Sequence, residues 1–294
     1  MKAVQILFIT TVLMFSMIAS AAPQGWAPLL EPAQLKSLLD AEQNIRVIQV
    51  TGDYASGHIE GSLNAPYARF RGPQSNPGEL PPMTQLTEVV QSLGITANTP
   101  VVVVHQGTNA VDMGASTRVY WTLKSLGVED LAILNGGLSA WQAAGLPFST
   151  ETTAVATSSF QPQWSDRWTV HTEELETLVA NGSAKLIDGR PAPFFTGQQS
   201  STSRAGTIPG AQNVSFDTFF SGTNMNSVSQ LQQALSSAAS GDQDLTVTFC
   251  NSGHMGSINW FVMSEMAGMD NIKLYAESMT EWAASAERPV EPGQ

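Results

Sequence analysis

The sequence predicts an α/β fold made of two similar units, each with a mainly parallel sheet flanked by helices. Runs typical of strands alternate with runs typical of helices, as in proteins that contain a parallel sheet. Pro100–Val104 is apolar without alternation, which indicates a strand buried on both faces. Leu245–Phe249 is β-branched and apolar and also predicts a buried strand. The same order of elements occurs twice, so we interpret the chain as an internal duplication.

Glycines mark the ends of two predicted helices in the first unit. Gly94 follows Thr84–Leu93, and Gly127 follows Gly114–Leu126. Glycine favours the left-handed backbone with which many helices end. The other predicted elements are a helix at 32–41, a strand at 45–50, a turn-rich passage at 57–67 that leads into a short strand, the strand at 100–104, a strand at 131–134 and a last helix that starts within 135–141.

A stretch rich in Ser, Thr and Ala separates the two units. Residues 149–160 lack periodicity, so we predict a linker at 149–165 between an N-terminal domain at 22–148 and a C-terminal domain at 166–294. The predicted elements of the second domain are a helix at 172–180 capped by Thr172, a strand at 185–187, a turn-rich passage at 206–216, a helix at 228–239, strands at 245–249 and 272–275, and a last helix that contains Trp282.

The two units correspond in detail. Gly206–Phe216 matches Gly57–Tyr67 in the spacing of its Gly, Ile and Asn residues. Trp282 occupies the position in the second unit that Trp141 occupies in the first. We expect both tryptophans to belong to the core of the last helix of their unit.

The charge of the chain argues against two classes of partner. The 294 residues include 25 acidic and 13 basic ones, which gives a net charge of −12. Such a surface disfavours nucleic acid and anionic membranes as partners. It also repels small anions, so any site that binds one needs local dipoles or cations.

The first 21 residues have the pattern of an export signal. Lys2 supplies a basic start, Ile6–Ile18 is almost wholly apolar but short for a membrane span, and Ala19–Ala21 offers small residues for cleavage. We therefore predict that residues 1–21 are a signal peptide and that the mature protein is periplasmic. A retained anchor or a buried N-terminal strand is the alternative.

Cys250 is the strongest candidate for a reactive residue. It is the one cysteine of the chain, and it lies between the predicted strand Leu245–Phe249 and a predicted helix at Ile258–Met266. Backbone N–H groups of a tight loop and of a helix start stabilise a thiolate or an anion bonded to it. An inert buried thiol is the alternative. The expected lining of the site is the polar, glycine-containing run Asn251, Ser252, Gly253, His254, Met255, Gly256 and Ser257.

Several runs together resemble the rhodanese family of sulfurtransferases. They are the two Gly-x-Ile-x-Gly-x-x-Asn runs at 57–64 and 206–213, Leu134–Trp141, Leu274–Trp282 and the Cys250 loop. The match covers nearly all of the chain after residue 21. It implies two rhodanese-like domains in tandem, with a catalytic cysteine in the C-terminal domain alone and no metal or organic cofactor. His105 stands where the second domain has Cys250, so the N-terminal domain is expected to carry no sulfur; a metal site at His105 is disfavoured because no ligand cluster accompanies it.

Three further residues have two possible roles each. Asp188 and Arg190 follow a predicted strand. They could contact substrate, but we favour a supporting role in which Asp188 accepts hydrogen bonds from the Cys250 loop and Arg190 makes an internal ion pair. His254 could bond an anion or face solvent, and the sequence does not decide between the two.

The resemblance also bears on the donor. Cys-Asn-Ser-Gly-His-Met is more similar to the loops of small exported bacterial rhodaneses than to the loops of mercaptopyruvate-selective relatives. Phe194 stands where tandem relatives carry an arginine, which disfavours a carboxylate donor. The expected activity is transfer of sulfane sulfur from thiosulfate to cyanide or a thiol through a Cys250 persulfide. A mercaptopyruvate donor is one alternative, and a carrier that passes sulfur to an unknown acceptor protein is another. No membrane partner is expected after signal cleavage.

The cleavage site is directly testable. We expect the mature chain to begin at Ala22, because signal peptidase cuts after a small-x-small run such as Ala19–Ala21. Intact mass spectrometry of the protein purified from its native host measures this. A mass that includes residues 1–21 would contradict both the signal peptide and the periplasmic location.

Overall fold

Two parallel sheets form the frame of the molecule. The computed structural model describes residues 22–41, 44–238 and 243–294, so the predicted signal peptide at 1–21 lies outside the described residues. The fold is α/β with parallel sheets flanked by helices, which confirms the predicted class. None of the helices in the described ranges is both long and apolar enough to cross a membrane.

The N-terminal sheet has five strands, all parallel, and the strand Val101–Val104 lies at its centre. Its neighbours pair with it at Val47↔Val102 and Val102↔Ala132, and all four of its residues are buried. In chain order the strands are β1 (Leu29–Leu30), β2 (Arg46–Gln49), β3 (His58–Ile59), β4 (Leu63–Asn64), β5 (Val101–Val104), β6 (Leu131–Leu134) and β7 (Phe148–Ser149), of which β3 and β7 form a separate antiparallel ribbon. The helices are α1 (Pro32–Ala41), α2 (Met83–Ser92), α3 (Met113–Ser125) and α4 (Gly137–Ala143).

The C-terminal sheet repeats this arrangement with four strands. The order β6-β5-β2-β4 of the first sheet corresponds to β13-β12-β8-β9 of the second. The strands are β8 (Ala184–Asp188), β9 (Gln212–Asn213), β10 (Phe220–Ser221), β11 (Asn224–Met225), β12 (Leu245–Phe249) and β13 (Ile272–Leu274), with β10 and β11 as an antiparallel ribbon. The helices are α5 (Thr172–Asn181), α6 (Ala192–Phe195), α7 (Val228–Ala238), α8 (Met255–Phe261), which continues as a π-helical turn at Val262–Met266, and α9 (Ser278–Trp282).

The duplication extends to side-chain hydrogen bonds. The indole N–H of Trp141 donates to the Pro147 carbonyl at 2.8 Å, and that of Trp282 donates to the Pro289 carbonyl at the same distance. Both rings are almost completely buried. This confirms that the two tryptophans hold equivalent core positions.

The predicted cap of α5 is wrong. The helix begins at Thr172, and His171 occupies the cap position without a side-chain hydrogen bond to the helix. The Thr172 hydroxyl lies 3.0 Å from the Tyr275 hydroxyl instead. The Thr172 hydroxyl therefore contacts Tyr275 in the tertiary structure and does not provide the helix cap that the local sequence pattern predicts.

One apolar core is shared between the two units. It contains the inner-face residues Val101 and Val103 of the first sheet and Ile187 and Leu274 of the second. Between them lie α3 and α8, whose contact includes the edge-on rings of Tyr120 and Phe261, 5.1 Å apart. The two domains therefore bury α3 and α8 against each other.

The segment after the first unit follows the surface of that unit. The Ser158 backbone N–H donates to Gln91 and its hydroxyl donates to Ile95. Farther along, the Ser165 N–H donates to the carbonyl of Ser125 at the end of α3. The chain between the two sheets is thus held by backbone and hydroxyl hydrogen bonds.

Candidate active site

Cys250 lies directly after β12, at the edge of the sheet where the carboxyl ends of the strands meet. Its side chain is 2% exposed and its thiol is free. The helix that follows begins at Met255, so the loop proper is residues 251–254. The loop is therefore shorter than predicted, because Met255, Gly256 and Ser257 form the first turn of α8. Gly256 packs so close to Phe249 that a side chain there would meet the backbone at 2.9 Å.

Ser278 fixes the conformation of the loop. Its hydroxyl oxygen accepts the N–H groups of Cys250 and Gly253 at 3.1 and 3.0 Å, and its own proton goes to the Tyr275 carbonyl. Ser278 has φ 56°, a left-handed backbone that non-glycine residues rarely adopt. The corresponding position of the first domain is Gly137, with φ 62°. Sequence reasoning missed Ser278, although a serine that replaces a duplicated glycine was a signal.

Three N–H groups of the loop are left for a ligand. The backbone N–H groups of Asn251, Ser252 and His254 have no hydrogen-bond acceptor among the residues that the structure describes. Gly253 between them has φ 69°, which allows successive N–H groups to converge. The unpaired donors and the Gly253 backbone are compatible with the concave anion nest predicted after Cys250, which stays a prediction.

Asp188 and Arg190 form a buried ion pair behind the loop. The Arg190 Nη2 lies 2.6 Å from the Asp188 carboxylate, which also accepts the Thr207 hydroxyl at 2.8 Å. The Arg190 Nη1 donates to Asn251 Oδ1 at 3.2 Å. The expected internal ion pair is present, but the contact with the loop comes from Arg190 and not, as expected, from Asp188.

His254 docks into the N-terminal domain. Its Nε2 donates to the Val111 carbonyl at 2.8 Å, and its Nδ1 accepts the Tyr67 hydroxyl at 3.0 Å, a tautomer assigned from these two partners. Burial lowers the pKa of His254 to about 4. The ring presses on Gly114, where any side chain would overlap it. Neither expected alternative, an anion contact or a solvent-facing ring, describes this position.

The N-terminal domain brings cations to the Cys250 loop. The Arg71 Nη2 donates to the Ser252 carbonyl at 2.8 Å, and the guanidinium of Arg118 lies against Gly253, where a Cβ would overlap Nη1. Tyr67 lies below Arg71, with its ring centroid 5.2 Å from the guanidinium carbon. Sequence reasoning missed these three residues, because they lie more than 130 positions before the loop.

His105 directly follows β5, as Cys250 directly follows β12. It is fully buried, its Nδ1 is 3.1 Å from the Ser116 hydroxyl, and burial lowers its pKa to about 4. Its carbonyl accepts the Leu138 N–H, as the Cys250 carbonyl accepts the Met279 N–H. Within the described ranges, no group of three or more His, Cys, Asp or Glu side chains could hold a metal ion.

Comparisons with known proteins agree with this architecture. The profile of the rhodanese-like domain matches residues 31–144 and again residues 171–285. A protein of Synechococcus elongatus, provisionally named thiosulfate sulfurtransferase, is 30% identical over 94% of this chain and 88% of its own length. A protein of Pseudomonas aeruginosa, provisionally named 3-mercaptopyruvate sulfurtransferase, is 31% identical over 82% of this chain and 86% of its own length.

A solved structure shows the same fold. The 3-mercaptopyruvate sulfurtransferase SseA from Escherichia coli superimposes with a TM-score of 0.75 at 20% identity, over 86% of this chain and 98% of its own. At this identity the likeness concerns the fold alone.

The role of Ser278 can be tested by two substitutions. Ser278→Ala leaves two buried N–H groups without an acceptor and keeps the strained backbone, so we expect a loss of about 2–4 kcal/mol in the free energy of unfolding. Ser278→Gly loses the same acceptor but relieves the strain, and it should be about 1 kcal/mol more stable than the alanine variant. Urea unfolding measures both. An alanine variant as stable as the glycine variant would show that the backbone at position 278 is not strained.

The neutral state of His254 predicts that the free energy of unfolding depends on pH. Its pKa is about 4 when folded and 6.5 in its ordinary state, so unfolding takes up a proton between these values. Its contribution to stability is complete above pH 6.5 and is lost as the pH falls toward 4. We expect the wild type to lose more stability than His254→Gln between neutral and acidic pH in urea unfolding. His105 and the carboxylates are common to both proteins, so equal pH dependence would refute the assignment.

Proposed function

The chain belongs to the rhodanese-like family and is a sulfurtransferase of the rhodanese type, and we propose that it transfers sulfane sulfur from thiosulfate through a persulfide on Cys250. The observation that carries the proposal is the position of Cys250 itself. It is the one cysteine of the sequence, and it opens a loop between a buried strand and a helix, in which three N–H groups have no acceptor within the described part of the chain.

In the first step the Cys250 thiolate attacks the outer sulfur of thiosulfate. A new S–S bond forms between that sulfur and Sγ, the S–S bond of thiosulfate breaks, and sulfite leaves with the electron pair. The product is a cysteine persulfide that carries a negative charge on its terminal sulfur. The N–H groups of Asn251, Ser252 and His254 are suited to bind that charge.

In the second step a thiophilic acceptor takes the terminal sulfur. Cyanide attacks it to form thiocyanate, or a thiolate attacks it to form a new persulfide, and the Cys250 thiolate leaves in either case. Because Sγ is displaced as the thiolate with which the cycle began, the two displacements leave the protein unchanged. The low exposure of Cys250 favours small donors and acceptors over a protein acceptor.

The choice of thiosulfate rests on the charges around the loop. Thiosulfate carries its charge on sulfonate oxygens, which single N–H donors can bind. Mercaptopyruvate carries a planar carboxylate, for which a bidentate arginine is the best partner. Phe194, in α6, is uncharged where tandem relatives have an arginine. Arg71 reaches the loop, but its Nη2 already donates to the Ser252 carbonyl, which leaves one unbonded terminal nitrogen instead of a free two-nitrogen fork for a carboxylate.

The alternatives remain a mercaptopyruvate donor and a carrier without turnover. The Pseudomonas aeruginosa relative is named for mercaptopyruvate, which favours the first of them. We further propose that the protein is exported to the periplasm, on the basis of residues 1–21 alone.

A comparison of donors tests this proposal. We expect a higher kcat/KM for thiosulfate than for mercaptopyruvate at one pH and ionic strength, because Phe194 supplies no cation and Arg71 has one terminal nitrogen already bonded to Ser252, so neither offers a carboxylate a free bidentate fork. Mass spectrometry should find an adduct of about 32 Da on Cys250, and Cys250→Ser should abolish both the adduct and the turnover. Mercaptopyruvate ahead by about tenfold, or about 1.4 kcal/mol, would refute the donor assignment. An adduct without turnover on any small acceptor would favour the carrier.

The duplicated position provides the matched control. His105→Ala should retain persulfide formation on Cys250, because the His105 imidazole bonds to Ser116 of its own domain. In a folded variant, a loss of more than about a hundredfold, or about 2.7 kcal/mol, would show that His105 takes part.

A further inference from the structure

Arg71 has a hydrogen-bonding capacity that the protein does not use. Its Nη2 is bonded to the Ser252 carbonyl at 2.8 Å, in the loop that begins with Cys250. Its Nη1 is buried and has no partner among the residues described. A buried guanidinium nitrogen without an acceptor is costly. Such an atom at the loop of a reactive cysteine points to a ligand that supplies the missing acceptor.

Arg118 adds a second positive charge on the same side of the loop. It is fully buried in α3, and its Nη2 donates to the Gly78 carbonyl at 2.8 Å. Burial lowers the pKa of Arg118 to about 9, so the side chain is protonated at neutral pH. Its Nη1 packs against Gly253, three residues after Cys250.

No carboxylate neutralises these two arginines. Arg190 pairs with Asp188, and Arg288 pairs with Glu176, whereas no ion pair is formed by Arg71 or Arg118 within the described residues. Glu277 acts on Arg118 from beyond ion-pair distance, and burial raises the pKa of that carboxyl. A protein with a net charge of −12 therefore concentrates two unpaired cations at its reactive cysteine.

We propose that Arg71 binds the anionic group of the sulfur donor, with Arg118 behind Gly253 adding its charge to the site. The inference rests on the proposed function, and it assigns the anion-binding half of the active site to the domain that lacks the cysteine. The ligands of this site are small oxyanions: thiosulfate before the first displacement and sulfite after it. Nη1 of Arg71 donates to an oxygen of the anion, while the N–H groups of the loop bind the sulfur that remains on Cys250.

Titration calorimetry with thiosulfate on the Cys250→Ser protein tests this, because the serine variant cannot transfer sulfur and reports binding alone. Adding Arg71→Gln should raise the dissociation constant for thiosulfate at least about tenfold, which is about 1.4 kcal/mol. The matched control is Arg69→Gln, which removes the same charge from the short helix Tyr67–Phe70. The control should bind thiosulfate within about twofold of the Cys250→Ser protein.

The outcomes separate this inference from the proposed function. Equal binding with and without Arg71, or no thiosulfate binding to the Cys250→Ser protein, overturns the role of Arg71 even if the wild type turns over. Binding that depends on Arg71 in a protein that transfers no sulfur supports the anion site and refutes the activity. The free energy of unfolding of each variant shows that it is folded.

A second measurement needs no arginine variant. Iodoacetate and iodoacetamide alkylate the same thiol but differ in charge, and Cys250 is the one cysteine. On the wild type, we expect the ratio of the iodoacetate rate to the iodoacetamide rate to exceed that of free cysteine by about tenfold. Since the net charge of the protein repels anions, a ratio at or below that of free cysteine would overturn the anion site.

Discussion

The packing of α3 against α8 is the contact on which the active site depends. Each helix follows the strand of its own domain that His105 or Cys250 directly succeeds, so the duplication places the two helices face to face in the shared core. Where they touch, the hydroxyls of Thr117 and Ser257 lie 2.7 Å apart, and the helices bury aromatic rings on either side. Because this contact is tight, side chains from the first domain reach a loop that belongs to the second.

The Cys250 loop is held from three directions before any ligand binds. The Ser278 hydroxyl accepts N–H groups of the loop. Arg190 of the same domain donates to Asn251, and the Tyr67 hydroxyl of the N-terminal domain donates to His254. The strained backbone of Ser278 is tolerated because its hydroxyl satisfies two buried donors that a glycine would leave unpaired. In the proposed reaction, a loop fixed in this way would present its N–H groups without rearrangement, and preorganised donors of this kind stabilise a developing anion effectively.

The sequence predicted what depends on local pattern and on the duplication. α1 has the predicted bounds, and β12, Cys250 and the helix after it occur in the predicted order. The start of α8 was predicted three residues late, because Met255 and Gly256 do not have the bulky periodicity of a helix. The partners of His254 and the two unpaired arginines could not be predicted, because they depend on contacts between domains that no spacing within one domain encodes.

Two glycines lie where the two halves of the molecule pack closely against each other. Gly114 leaves room for the ring of His254, and Gly253 leaves room for the guanidinium of Arg118, so each domain lacks a side chain where the other inserts one. A chimera that combined one half of this chain with the other half of a relative would meet both constraints at once. A side chain added at either glycine would therefore require a matching change in the other half, even though one of the halves carries no thiol.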